Sequence, residues 1–318
     1  MSGKHAIALL SLMIFSSTAH AEFDLSDDGS ALTLSEKGRL VLTYHYAMVE
    51  PPEGVPERYR RSCYIHPLYG LDGDILTQDF PPDHRHHRGI FWAWPNSTVG
   101  DRLFNLWLIQ EDGEVGARQH FEKWLSQEAG DATAEIGVQN VWRYDDSDQT
   151  IVREKVWMIV HPSDDNSQAI DFRLTWENVC EETVTLLGAD RKGYGGFCIR
   201  PDASRRPLQF TSIQGEQPDD VLELDTPWSD VTSRVEPDGP TSGMALFQHP
   251  ENPGYPHPGW IFRHYGFLGA SWPHLEPYEI APGESVTLRY RMLIHRGTAE
   301  EAKVGEAFER FVNEMKGK

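Results

Sequence analysis

Alternation of apolar and polar residues is the feature that most narrows what this chain can fold into. Ile170, Phe172, Leu174 and Trp176 alternate through "AIDFRLTWEN", and Val286, Leu288, Tyr290, Met292 and Ile294 through "SVTLRYRMLIH". Leu40, Leu42, Tyr44 and Tyr46 repeat the pattern in "RLVLTYHY", just after Gly38 in an expected hairpin turn. A period of two puts one face of a strand in a core and the other in solvent or a cleft. "EIGVQNVWRY", "IVREKVWMIV" and "GFCIR" are further strand candidates, and turn-forming runs such as "YDDSDQ" and "PSDDNSQ" separate them. Helical spacing is clear only at the C-terminus. There Thr298 and Glu301 form a capping box ahead of Val304, Ala307, Phe308, Phe311, Val312 and Met315. The expectation is an all-β chain: one large antiparallel β-sandwich over residues 22–318 with long loops, and a helix at 298–316 covering a sheet face or edge.

The N-terminus reads differently. Lys4 precedes an apolar run from Ala6 to Phe15, and Ala19-His20-Ala21 follows the small-x-small rule for cleavage. That order describes a secretory signal peptide cleaved after Ala21, too short to span a bilayer, so the mature protein is expected to be periplasmic or secreted. No later segment is long and apolar enough to be a membrane-spanning helix. The formal net charge of −20, with no basic tract, argues against a nucleic-acid partner. Cys63, Cys180 and Cys198 leave room for one disulfide but not for a disulfide scaffold or a structural zinc site.

Reactive side chains concentrate in three loop-like stretches. In "DHRHHRGIFWAWPN", Asp83 to Asn96, three histidines and two arginines fall within six residues and give way to tryptophans. A histidine titrates near neutral pH and can move protons, and Arg85 and Arg88 could hold a carboxylate or stabilise an oxyanion. On a strand, His84 and His86 would share one face with His87 opposite, while Trp92 and Trp94 would face the same way as stacking platforms. Asn96 could bond hydroxyls. This combination describes a carbohydrate cleft. The other two stretches are "LGADRKGYGGFCIRP", with Lys192 and Arg200 around closely spaced glycines, and "FQHPENPGYPHPGWIFRHYG", with His249, Asn252, His257, Trp260, Arg263 and His264. Neither a phosphate-binding loop nor a G-x-S-x-G nucleophile elbow is present.

Taken in order, "HPLYGLDGDILTQDFPPDHRHHRGIFWAW", "DRKGYGGFCIRP", "PWSDV", "FQHPENPGYPHPGW" and "LRYRMLIHRG" make the chain resemble the PmoA-like domain family of exported bacterial proteins over most of residues 30–297. The resemblance implies a large β-sandwich similar in outline to the galactose-mutarotase type. Such sandwiches bind sugars in a cleft and often use a histidine with a carboxylate. It carries over, by position, His66, His84, His86, His87, Arg88, Lys192, Arg200, His249, Asn252 and Arg263, and by analogy of fold a base at Glu276.

The resulting expectation is an exported carbohydrate-active enzyme, a lyase, epimerase or hydrolase. His84, His87, Arg88 and His66 would be catalytic, and His86, Trp92, Lys192, Arg200, His249, Asn252 and Arg263 would bind a sugar or other small polar substrate. The alternatives are a non-catalytic glycan-binding protein and a metalloenzyme with His84 and His86 among its ligands. No cofactor is assigned, and a divalent metal stays open.

Overall fold

The computed structural model describes residues 23–109, 115–205, 207–234, 236 and 239–316. The expected leader, residues 1–21, lies outside them. Strands dominate, and every strand pair within the three sheets is antiparallel. The first sheet has eight strands, in spatial order Phe23–Asp27, Ala31–Glu36, Arg39–His45, Tyr64–Leu68, Ile90–Ala93, Gly196–Ile199, Phe267–Ala270 and Trp260–Arg263. The second has nine: Gly215–Gln217, Gln209–Ser212, Trp228–Arg234, Thr241–Gln248, Ser285–Arg296, Ser167–Asn178, Thr150–Val160, Ala134–Tyr144 and Ala117–Ala129. A third sheet of four short strands (Tyr278–Ile280, Val184–Leu186, Ser97–Val99, Arg102–Phe104) completes the sandwich.

The alternation seen in sequence builds the core. In Ser167–Asn178 every second residue from Gln168 to Asn178 is buried. It pairs in register with Ser285–Arg296, which buries Val286, Leu288, Tyr290 and Met292 on the same inner face. Both large sheets contribute to one continuous apolar cluster. Burial of that surface is the main drive for bringing the sheets together.

Two expectations need correction. Leu40 is 42% exposed and Val41 fully buried, because Ser35 pairs with Leu40 and Leu34 with Leu42, leaving Val41 as the extra residue of a bulge. The C-terminal helix runs over Val304–Lys316 rather than from 298. The capping-box bonds form, with Thr298 N–H donating to Glu301 at 2.8 Å. Lys303 then takes a φ of 53°, outside the right-handed helical region, so residues 298–303 make turns. The helix buries Val304, Phe308 and Phe311 on the outer face of the nine-stranded sheet, over Trp228, Phe247 and Leu293. That cover is why Leu293 is buried although it points away from the main core. All three cysteines are buried free thiols, so the disulfide left open by the sequence does not form.

One carboxylate lies inside the sandwich. Glu154 is completely buried. It accepts hydrogen bonds from Asn140 Nδ2 at 2.8 Å, Trp142 Nε1 at 2.9 Å, Trp176 Nε1 at 3.0 Å and Gln119 Nε2 at 3.1 Å. Asn140 also donates to the Tyr44 hydroxyl and Gln119 to the Trp92 carbonyl, both on the facing sheet. Replacing Glu154 with Leu strands four donors at roughly 1–3 kcal/mol each, so E154L should lose at least about 4 kcal/mol in urea unfolding. E154Q should lose less than half of that, since the Asn140 amide can rotate to accept from the new NH2. Equal losses in the two variants would show that the donors do not depend on this acceptor.

Candidate active site

The histidine stretch does not form a strand. His84 N–H donates to the Pro81 carbonyl and His87 N–H to that of His84, so residues 81–87 make two successive tight turns. All three imidazoles therefore fall on one side instead of splitting between two faces. His84 stacks on His87 with centroids 4.9 Å apart and planes 10° apart, and on Tyr265 at 4.4 Å and 12°. His86 stands edge-on to His87 at 4.4 Å.

These rings form one wall of a cavity of about 460 Å³. Trp107 and Leu108, Pro95 and Asn96 beside the small third sheet, and the loop from Ala189 to Tyr194 supply much of the rest. Asn105 aims Trp107 by accepting the Trp107 and Leu108 amides at 3.0 and 2.8 Å. The loop with Lys192 and Tyr194 depends on Gly193, whose φ is 70°. A Cβ there would sit 1.9 Å from the His274 ring, so only glycine fits. Tyr194 is fixed from behind by Arg263 Nε, which donates to its hydroxyl at 2.6 Å while Nη1 reaches Asp220 at 3.2 Å. Asn96 donates to Asp190 at 2.8 Å and so ties two parts of the rim together.

His84 has the features of an acid/base group. Its Nδ1 pairs with Asp83 Oδ2 at 2.9 Å, with an N–H donating to the carboxylate, and this contact fixes the orientation of the ring. Arg200 Nη2 donates to both Asp83 oxygens, at 2.8 and 3.1 Å. Burial pushes the Asp83 carboxyl up, but the His84 hydrogen bond and the Arg200 charge outweigh it and hold the group below its ordinary range. Arg200, Asp83 and His84 thus form a relay ending in a partly exposed imidazole at the cavity.

The other two histidines stay neutral. Burial, followed by the nearby His84, Arg61, Arg88 and Arg200, pushes His86 down to about 3. Burial, followed by the nearby His86, Arg200, His84 and Arg61, holds His87 well below the usual range. Neutral rings remove the mutual repulsion that three crowded imidazoles would otherwise carry, and they can donate to and accept from hydroxyl groups. Their stacked, edge-to-face packing does not converge on a point. Among the described residues, no group of three or more His, Cys, Asp and Glu side chains is placed to hold a metal ion.

Of the residues named from sequence, His84, His86, His87, Asn96 and Lys192 meet in this cavity. Arg88 and Arg200 are buried behind it rather than lining it. The Arg88 guanidinium lies 3.3 Å over the Phe80 ring, bonds to the Arg85 and His87 carbonyls at 2.9 Å each, and also donates to the Tyr59 carbonyl. It holds the histidine turns in shape and touches no ligand space. His66 does not line the cavity; its Nδ1 meets the Thr77 hydroxyl at 3.0 Å, and burial lowers its basicity. Trp92, expected as a stacking platform, is fully buried against Phe197 in the core. Trp94 is buried too, donating to the Trp272 carbonyl.

Asn252 clamps the backbone of Arg289 through both ends of its amide, at 2.7 and 2.8 Å. His249 opens onto a different cavity, and Glu276 is an exposed turn residue outside the histidine pocket. The residues missed from sequence are Trp107, Tyr194, Tyr265, Asn105 and Asp190. A tryptophan and an asparagine two residues apart, and tyrosines beside Lys192 and His264, were the signals available.

The class defined by this fold and site is an all-antiparallel β-sandwich with a histidine-walled pocket built from its loops. The chain belongs to DUF6807, a family of unknown function, whose model matches residues 31–309. The PmoA-like label drawn from the motifs gains no separate support. No curated protein matches the sequence. Among solved structures, the chain is similar to a putative aldose 1-epimerase from Klebsiella pneumoniae at 8% identity and a TM-score of 0.39, covering 92% of this chain and 87% of that one. It is also similar to α-galactosidases from Lactobacillus brevis (10% identity, TM-score 0.38) and Geobacillus stearothermophilus (10%, 0.39). Each covers 87% of this chain, which spans 39% and 41% of their respective lengths.

The lowered His86 value gives a signed prediction. The unfolded chain takes up a proton near pH 6.5, whereas folded His86 resists until about 3. Stability is therefore undiminished above about pH 6.5 and falls as the pH drops toward 3, where the unfolded state binds more protons. His86→Gln should flatten that slope in denaturant titrations at stepped pH, and an unchanged slope would reassign it to other groups.

Proposed function

We propose that this protein is an exported enzyme that moves a proton on a sugar or similarly hydroxylated small substrate. His84 is the acid/base group. The observation that carries this reading is the Arg200–Asp83–His84 relay, ending at a cavity that also presents Trp107 and Lys192. Asp83 fixes the tautomer and orientation of the imidazole, as a carboxylate does wherever a histidine must take a proton at one defined nitrogen. Nε2 would remove a proton from the substrate and return it, and the Lys192 ammonium at the rim would stabilise the oxygen on which charge develops. Neutral His86 and His87 would bond hydroxyl groups, with Trp107 against the apolar face of the ring.

Proton transfer of the epimerase or lyase kind fits this lining better than hydrolysis. Glycoside hydrolysis ordinarily sets two carboxyl groups across the bond it breaks. Among the described residues, Asp190 is the single acidic one lining the cavity. The leader read from residues 1–21 would place the reaction outside the cytoplasm.

The test is turnover, together with solvent-deuterium incorporation, on a panel of oligosaccharides and oxidised glycosides. His84→Ala should lower the rate by roughly 10²–10⁴-fold and abolish deuterium uptake, while Trp107→Ala should chiefly weaken binding. Undiminished turnover in His84→Ala removes that residue from catalysis. Glycan affinity with neither turnover nor exchange in the unaltered protein would identify a binding protein instead.

A further inference from the structure

On its outer face the nine-stranded sheet carries a second cavity, of about 370 Å³, that shares no lining residue with the histidine pocket. One row of cross-strand neighbours runs Arg289, Arg173, Trp157, Gly137. The indole of Trp157 lies across Gly137, where a Cβ would come within 2.7 Å of the ring, so the missing side chain lets the tryptophan lie low on the sheet. Trp157 is partly exposed, and the Arg173 guanidinium sits 5.2 Å from its centroid. His249 and Phe311 line the cavity where it meets the C-terminal helix.

Beyond the contact of Arg173 with the Trp157 ring, little in the structure offsets the charges in this row. Arg173 and Arg289 are directly opposite each other in register, and like charges so placed destabilise a sheet. Arg289 reaches the exposed Glu251 at 3.4 Å, a rim pair of little strength. Arg173 has no ion-pair partner among the described residues. Asp171, which also lines the cavity, is already engaged by Arg291 at 2.6 Å and His161 at 2.8 Å. Apart from Glu135, the lining therefore offers two guanidinium groups to an anion, on a chain whose net charge is −20.

We propose that this cavity is a second binding site, for a carbohydrate chain that carries ring carboxylates. The apolar face of one sugar would lie on Trp157. Its carboxylate would take the planar donors of Arg173 and Arg289, which suit that group geometrically. Occupation by an anion also relieves the Arg–Arg repulsion, so neutral sugars should bind much less well.

Tetragalacturonate and cellotetraose are the probes, with affinity measured by calorimetry on the full chain at low and high salt. Tetragalacturonate should bind at least about tenfold more tightly than cellotetraose, and its advantage should shrink as salt screens the arginines. Trp157→Ala and the double variant Arg173→Gln/Arg289→Gln should each lose about tenfold in affinity, with thermal unfolding showing that they remain folded. Trp157→Phe, which keeps an aromatic face, should lose less. Binding in His84→Ala should be unchanged, which separates this site from the histidine pocket. Equal affinity for the two probes, insensitivity to the row variants, or loss confined to His84→Ala would each overturn the proposal.

Discussion

A carboxyl group sealed in an apolar core is tolerable only when its lone pairs are matched by donors, and the centre of this sandwich is arranged around that demand. Glu154 gathers side chains from Ala117–Ala129, Ala134–Tyr144 and Ser167–Asn178 onto its own strand, Thr150–Val160. Through Asn140 and Gln119 it also reaches Tyr44 and Trp92 of the opposite sheet. Apolar contacts alone would let the two layers slide, because they are non-directional. Hydrogen bonds to one buried acceptor fix both the lateral and the rotational alignment of the layers. The strand Ile90–Ala93, which carries Trp92, is the one that emerges from the histidine turns. The alignment set in the core is thereby passed to the loops above it.

Burial then sets the chemistry of those loops. Arg88 and Arg200 are arranged behind the histidines, spending their donors on backbone carbonyls and on Asp83. Desolvation above all keeps His86 and His87 uncharged, with Arg200 acting on both rings and Arg88 on His86. His84 alone has a carboxylate on one nitrogen while remaining partly open to the cavity. One sequence motif thus contains residues of three kinds. Arg88 scaffolds the turn, His86 and His87 form a neutral polar wall, and His84 joins Asp83 to the cavity.

What the sequence made legible follows the physics of each element. Alternation fixes which side of a long strand is apolar, so the inner faces of Ser167–Asn178 and Ser285–Arg296 could be read directly. It fails at Val41, where a bulge inserts a residue and shifts the phase. It also fails to foresee that Leu293 is covered from outside by a distant helix. The density of imidazoles marked a loop that lines a cavity, but the strand face assumed for Trp92 and Trp94 gave them a stacking role. Paired strands on both sides of Ile90–Ala93 and a facing sheet bury those rings instead. Trp107, Tyr194 and Tyr265 come from three separate parts of the chain. Their meeting is a product of topology that no local pattern encodes.

The close approach of Gly193 to His274 reaches beyond packing. The two loops are also joined by the Gly188 amide, which donates to the His274 carbonyl at 2.9 Å. Because neither can gain bulk at this contact unless the other yields it, variation within the family should arrive at positions 193 and 274 in concert.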